Sequence, residues 1–157
     1  MNAITANDLG TVALFEGLPE DELATLAAGS THRALSDGEV LFERGQSART
    51  LYVVVRGGLV LRAEDRGRSV IVETLRPGDL VGWAAMREGA VTLSTARAVG
   101  STDVIGIPID DIVALAAGGS RRSELLVRRI VGLAAQHLEA SWRQLLQVGG
   151  EGVITAG

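Results

Sequence analysis

Hydrophobic positions along the chain change their spacing twice, which divides the sequence into three zones. In the first zone, about residues 6–29, Leu23, Leu26 and Ala27 recur at the three- and four-residue intervals of an α-helix. Pro19, followed by three acidic residues, is typical of a helix start because the acids complement the positive end of the helix dipole. The pattern predicts two short helices.

The second zone, about residues 31–108, consists of apolar runs separated by glycines. Residues 50–55 form the clearest strand, and residues 58–63 follow them across Gly57-Gly58, which predicts a hairpin. Further strands are predicted at residues 69–75, 92–99 and 103–108. Short strands at regular spacing are typical of a β-sandwich or barrel.

The third zone, from about residue 109 to residue 148, returns to helical spacing. A short helix is predicted to stop at Gly118-Gly119, and Ser120 is a suitable N-cap for a long helix over about 120–148. That helix would be roughly 40 Å long at about 1.5 Å per residue. Residues 149–157 are predicted to form a flexible tail.

The long helix carries two apolar seams, each with residues three and four positions apart. One contains Leu126, Ile130, Leu133, His137 and Ala140, and the other Val127, Val131, Ala134, Leu138 and Leu145. If one seam packs on the β-region, the other is left for a partner, which predicts a homodimer through this helix. The alternative is a single broad face that is buried within one chain.

The composition narrows the function. The length of 157 residues suits one domain, and the net charge of −4 is unfavourable for binding nucleic acid. With no cysteine and only two histidines, a metal site or a catalytic triad is not expected, and the chain is predicted not to be an enzyme. No segment resembles a secretory signal or a membrane span, so a cytoplasmic protein without membrane contact is expected.

Four phrases in the sequence carry a family resemblance: LFEGL at 14–18, GEVLFERG at 38–45, LYVVVRG at 51–57 and LRPGDLVG at 75–82. In this order and spacing they resemble the cyclic-nucleotide-binding domain of catabolite-activator-type regulators, cyclic-nucleotide-gated channels and kinase regulatory subunits. The resemblance implies a mainly β fold, a double-stranded β-helix (jelly-roll) with N-terminal helices and a long C-terminal helix. It covers nearly all of a single domain at residues 1–148.

The resemblance also implies a phosphate-binding cassette that begins at Gly82. In the family a glutamate beside this glycine holds the ribose hydroxyl, and an arginine about ten residues later pairs with the phosphate, because a buried anion needs a charged donor. Here Trp83 occupies the glutamate position, and Thr92, followed by Leu93, occupies the arginine position. Both charged contacts are therefore absent from their expected places.

Two interpretations of this altered cassette stay open. In the first, the pocket accepts a different small ligand, and Arg87 is a candidate substitute for the phosphate partner. Its ligand-binding residues would be mainly apolar, with two hydroxyls: Val81, Gly82, Trp83, Ala84, Ala85, Met86, Leu93, Thr92 and Ser94. In the second, the indole of Trp83 fills a vestigial pocket, since a lone tryptophan is commonly core filler.

His137 completes the candidate site, since the resemblance places it near the residues that contact the base in the family. The alternative is a histidine that is hydrogen-bonded across the helix interface. We expect a stand-alone regulatory domain that binds a cyclic nucleotide or another small ligand, and we assign no cofactor beyond that ligand. The domain would signal through its dimer helix by a shift near Gly118-Gly119. The alternatives are a ligand-free dimeric scaffold or interaction module, and the sensor fragment of a transcription regulator.

Overall fold

The computed structural model describes residues 3–151, which begin with three short helical segments. These are α1 (Ala6–Gly10), a 3₁₀ turn (Ala13–Phe15) and α2 (Glu20–Gly29). A capping box starts α1: the backbone N–H of Asp8 donates to Thr5 Oγ1 at 3.3 Å, and that of Thr5 donates to the Asp8 carboxylate at 2.8 Å. The Thr5 hydroxyl, at 2.6 Å, and the Thr5 backbone N–H both donate to the Asp8 carboxylate, and these two bonds lower the pKa of Asp8 because they favour its charged form.

Six antiparallel strands follow, and they form the predicted β-roll. Their order is β1–β6–β3–β4, while β2 pairs with β6 and β5 pairs with β3. The bounds are β1 (Thr31–Leu35), β2 (Val40–Phe42), β3 (Thr50–Asp65), β4 (Arg68–Leu75), β5 (Leu80–Val81) and β6 (Thr95–Pro108). The predicted jelly-roll with flanking helices is confirmed.

The hairpin predicted at Gly57-Gly58 is wrong, because β3 runs through these glycines as one strand of 16 residues. Gly57 has φ +78°, and the pairing register with β6 shifts between Val54 and Arg56 and again between Arg56 and Gly58, the interval that contains Gly57. A left-handed glycine here makes a bulge that bends the strand instead of reversing it. The strands predicted at 92–99 and 103–108 are likewise joined in β6. The true hairpin lies between β3 and β4, where Arg66 (φ +48°) and Gly67 (φ +77°) form the turn.

The bulge in β3 also changes which face of the sheet each side chain occupies. Leu51 and Val53, before the bulge, belong to the core between sheet and helices, which we call the helix-side core. Leu59 and Leu61, after it, belong to the core inside the roll, which we call the roll interior. In an unbroken strand these four odd-numbered residues would share one face. The bulge therefore supplies both cores from a single strand.

Two helices close the fold, α3 (Ile109–Ala116) and α4 (Arg121–Glu151). Ser120 is the N-cap of α4, as predicted, since the backbone N–H of Ser123 donates to Ser120 Oγ at 3.1 Å. The Ser123 hydroxyl donates to Leu115 O at 3.2 Å, which ties α4 back to α3. The helix continues three residues beyond the predicted end at residue 148, and residues 152–157 of the predicted tail lie outside the described residues. No helix within residues 3–151 combines the length and apolar character that crossing a bilayer requires.

The two seams of α4 have different surroundings. In the first, Leu126 is fully buried, and Ile130 and Leu133 pack against the helix-side core, whereas Ala140 is exposed. In the second, Val131 is 61% and Leu138 69% exposed. Leu145, also predicted for the second seam, lies outside the residues whose side chains are described. Among the side chains that the structure describes, the first seam therefore packs against the rest of the domain, and the large residues of the second seam are exposed.

Candidate functional site

A sharp turn at Gly82 starts the cassette. The chain leaves β5, passes through Gly82 at φ +97° and enters a 3₁₀ turn over Trp83–Met86. A Cβ at Gly82 would lie 2.5 Å from the carbonyl oxygen of Thr50, so a side chain is excluded by both conformation and space. The backbone N–H of Ala85 donates to the carbonyl oxygen of Gly82 at 2.9 Å. This turn directs Trp83 toward α4.

Beside the turn lies a cavity of about 300 Å³, which we call the cassette cavity. It lies between the roll interior, the cassette and α4. Eight of the ten residues predicted for ligand binding line it, together with two that were not predicted: Val81, Gly82, Trp83, Ala84, Thr92, Leu93, Ser94 and His137, with Phe42 and Leu61. The geometry brings the predicted residues together, while their role in ligand binding stays a prediction.

Two residues expected at the cavity lie elsewhere. Ala85 is 5% exposed and packs in the helix-side core, and Met86 is exposed outside the lining. A 3₁₀ turn of four residues cannot direct all its side chains to one side. The unpredicted Phe42 and Leu61 come from β2 and β3. Strand alternation would have identified Leu61 as inward-facing only with knowledge of the bulge at Gly57.

Trp83 forms a wall of the cassette cavity and leaves it open. Its indole is partly buried against the helix-side core and stacks on the His137 imidazole, with ring centroids 6.0 Å apart and planes inclined by 28°. This offset geometry is favourable for paired aromatic rings. The contact joins the cassette directly to α4.

His137 also makes a polar contact across the helix–sheet junction. Its Nδ1 lies 3.3 Å from Glu73 Oε1, and both side chains are partly buried. The hydrogen bond to Glu73 raises the pKa of His137, while burial acts in the opposite direction. Glu73 lies opposite Leu61 in the β3–β4 ladder and so shares its face of the sheet. Both interpretations of His137 thus have support in one geometry, since it lines the cavity and bonds across the interface.

Thr92, at the position where the family resemblance implies an arginine, ties two loops together. Its hydroxyl donates to Glu43 O at 2.5 Å and its backbone N–H donates to Gln46 O at 2.9 Å. In return the backbone N–H of Gly45 donates to Thr92 O at 2.8 Å. Because its hydrogen is used in the loop, the Thr92 hydroxyl can offer a ligand only an acceptor.

The cassette cavity has no permanently charged lining residue. Among its ten lining residues His137 alone is ionisable, and Arg87, the candidate substitute for the phosphate partner, is exposed and lies outside the lining. Among residues 3–151, no group of three or more His, Asp or Glu side chains is placed to hold a metal ion. Chemically, the cavity offers an aromatic wall, apolar contacts, two hydroxyls and one titratable imidazole.

Comparisons with known proteins agree with this geometry. The model of a family described as "Cyclic nucleotide-binding domain" matches residues 32–118, more than half of the chain. The crystal structure of the Thermus thermophilus catabolite activator protein is 25% identical with a TM-score of 0.69, over 87% of this chain and 62% of that one. This chain therefore spans less than two thirds of the Thermus protein. No curated protein matches the sequence.

Two further solved structures are similar. A cyclic nucleotide-binding-like protein from Brucella abortus is 33% identical with a TM-score of 0.58, over 69% of this chain and 94% of that one. The sensor domain of the transcriptional regulator DNR from Pseudomonas aeruginosa has a TM-score of 0.72, over 85% of this chain and 92% of that one. At 19% identity the latter likeness concerns the fold alone.

Proposed function

This chain belongs to the cyclic nucleotide-binding domain family, and on that premise we propose that it is a regulatory domain whose cassette cavity binds a small, uncharged and partly apolar ligand. The matching family model describes a binding domain, which supports a regulatory role. The observation that carries the proposal is the stack between Trp83 and His137, because a ligand in the cavity would contact the cassette and α4 together.

The ligand class follows from the lining. A cyclic nucleotide carries a phosphodiester anion, and placing it in this cavity without a cation would leave a desolvated charge unpaired. An uncharged molecule avoids that penalty and gains from contact with Trp83, Phe42 and Leu61. A volume of about 300 Å³ suits a compact molecule. Ser94 and the acceptor lone pairs of Thr92 would fix its orientation.

The proposed signal passes from the cavity to the long helix. A ligand that prefers one position of His137 shifts α4 toward one of two arrangements by its difference in affinity for them. The α3–α4 junction is suited to absorb that shift, because Gly119 has φ +70° and the contact between Ser123 and Leu115 can be remade. The exposed second seam of α4, which contains Val131 and Leu138 and which we call the free seam, would pass this shift to a partner that contacts it.

Emission from Trp83 can test whether a ligand occupies the cavity. The chain contains two tryptophans, and Trp142 is 62% exposed, so Trp142→Phe leaves Trp83 as the single emitter in an intact fold. A metabolite library is first screened for compounds that raise the melting temperature, since a ligand that binds the folded state must stabilise it. A true cassette ligand should shift the emission of Trp142→Phe and leave that of Trp83→Phe unchanged. The proposal fails if no compound stabilises the protein, or if stabilising compounds change only the emission of Trp83→Phe.

We further propose that a second copy of the chain covers the free seam. Val127, Val131, Ala134 and Leu138 alternate by four and three residues, the spacing of a two-helix seam, and the large members are exposed. Val131→Asp should dissociate the dimer in analytical ultracentrifugation, whereas Val113→Asp, an exposed valine on α3, should not. A wild-type monomer at high concentration would reject dimerisation while leaving ligand binding open.

The exposed seam also favours a second candidate, a ligand-free interaction module. A persistent dimer together with a metabolite screen in which nothing binds would support it. By analogy with the Pseudomonas sensor domain, the chain is alternatively the sensor portion of a longer transcription regulator. Under that alternative, direct contact with nucleic acid belongs to a part outside this chain.

A further inference from the structure

A second cavity adjoins the cassette cavity, and its lining is positively charged. It has a volume of about 350 Å³ and shares Phe42, Gly82 and Thr92 with the cassette cavity, so these residues form a partition. Beyond the partition it is lined by Arg33 of β1 and Arg49, which immediately precedes β3. None of its lining residues is acidic, although the chain as a whole carries a net charge of −4. We call it the arginine cavity.

Arg33 is held in position before any ligand arrives. It lies opposite Val104 in the β1–β6 ladder, on the face that belongs to the roll interior, and is half-buried. Its Nη1 donates to Leu41 O at 2.9 Å, which fixes the plane of the guanidinium. Among the described residues it has no carboxylate partner within ion-pair distance, so its remaining N–H groups stay available. A half-buried cation without a counter-ion is stabilised by an incoming anion.

The loop that carries Arg49 is equally constrained. Ala48 N–H donates to Ala90 O at 2.9 Å, and Ile109 N–H donates to Arg49 O at 3.0 Å. Thr92 fixes the start of the same loop through Glu43 and Gln46. Such anchoring holds the backbone of Arg49 beside the cavity, so anion binding has to order its side chain but not the loop.

Neutral donors complete the lining. Tyr52 stacks on Phe42 with ring centroids 6.0 Å apart, and its ring passes over Gly106, where an added Cβ would lie 2.9 Å from Tyr52 Cε1. The ring position is therefore fixed, and the phenol, Thr50 and Ser47 are hydroxyl donors around the two arginines. Planar guanidinium groups together with hydroxyls match the oxygens of a phosphate or a carboxylate.

We propose that the arginine cavity is a second, independent site that binds a small oxyanion through Arg33 and Arg49. It lies outside the cassette cavity and does not depend on the ligand proposed there. Since phosphate and carboxylate share the recognising chemistry, inorganic phosphate and malonate serve as separate probes. Stronger binding of phosphate would indicate an organic phosphate as the natural class of ligand, and stronger binding of malonate a dicarboxylate.

The test titrates each probe into the full chain at constant ionic strength and follows binding by calorimetry. Arg33→Gln and Arg49→Gln should each weaken binding at least fivefold, whereas Arg87→Gln, an exposed arginine outside both linings, should bind like the wild type. Because Arg49 is exposed, its variant tests the site even if Arg33→Gln folds poorly. Trp83→Ala should also bind the anion normally, which separates this site from the cassette ligand. The proposal is overturned if neither probe binds, or if Arg87→Gln loses as much affinity as the other two.

Discussion

The cassette cavity and the arginine cavity lie on opposite sides of the same three residues, yet their chemistry differs. The first has an aromatic wall, apolar side chains and one imidazole, and the second has two guanidinium groups. The family resemblance implies a phosphate-binding arginine at the position of Thr92, on the partition itself. In this chain the permanent positive charge lies on the other side of that partition. Family membership therefore fixes where a cavity forms, while the side chains at a few positions decide what it can bind.

Substitution of Gly82, which lines both cavities, should give the largest loss of stability. Gly82→Ala places a Cβ against Thr50 O in a left-handed conformation. The conformation alone costs about 1–3 kcal/mol of unfolding free energy, and the clash adds about 1–3 kcal/mol. Urea unfolding should show a smaller loss for Gly78→Ala, which has φ +93° and no atom within 4 Å of the added Cβ. Equal losses for the two variants would show that the space at Gly82 does not matter.

A cation added to the cassette cavity should make its ability to bind anions more like that of the arginine cavity. Leu93 is 73% exposed and lines the cavity, so Leu93→Arg places a guanidinium at its edge without burying it. A charge-assisted bond to phosphate should raise the affinity for cyclic AMP at least tenfold, about 1.4 kcal/mol. Val91→Arg, exposed but outside the lining, is the matched control for calorimetry. An equal gain in both variants would indicate general attraction and not a site.

Variants of Thr92 test how much its hydrogen bond stabilises the partition between the two cavities. Thr92→Val keeps the shape but removes the hydrogen bond to Glu43 O, which should cost about 1 kcal/mol of unfolding free energy. Thr92→Ser retains the hydroxyl and should lose less. Anion binding should weaken in the valine variant, because the loop before Arg49 is loosened. If the serine variant is the less stable of the two, the methyl group and not the hydrogen bond holds the partition.

The smallest effect concerns the only ionisable residue of the cassette cavity. The pKa of His137 is raised above its ordinary value of 6.5, chiefly by the hydrogen bond to Glu73. The protonated form is thus favoured in the folded state. The contact stabilises the fold fully below pH 6.5, and this contribution is lost as the pH rises through the raised pKa.

The contribution should be below about 1 kcal/mol, as for other partly exposed ion pairs. Unfolding midpoints measured across this pH range should fall more steeply with pH in the wild type than in Glu73→Gln. Glu64→Gln, an exposed carboxylate on β3, should follow the wild type. If the unfolding midpoint of Glu73→Gln depended on pH as steeply as that of the wild type, the contact between Glu73 and His137 would not be the cause of the pH dependence.

The sequence predicted the architecture because glycine spacing and apolar runs carry it. Ser120 was identifiable as a helix cap from local sequence, and the residues around Gly82 could be placed through the family resemblance. The hairpin at Gly57 was wrong because a left-handed glycine is compatible with either a turn or a bulge, and only pairing with β6 selects between them. The local sequence pattern alone could not distinguish the turn from the bulge.

Other features of the site depend on contacts between distant segments. Glu73 reaches His137 through the register of the β3–β4 ladder, which is set by the shift between Leu61 and Arg62. The arginine cavity joins β1 to the loop before β3, and nothing local in either segment indicates an anion site. Such sites become visible only when the register and the strand bends are known.

Calorimetry of the wild-type chain with cyclic AMP and cyclic GMP tests the central claim most directly. With no permanent cation in the cassette cavity, we expect no saturable, Trp83-dependent binding of either nucleotide below millimolar concentration. A dissociation constant of about 1 mM corresponds to a binding free energy of about 4 kcal/mol. Saturable binding in the micromolar range that is lost in Trp83→Ala would contradict the account, because the cavity would then hold a phosphodiester without a permanently charged partner.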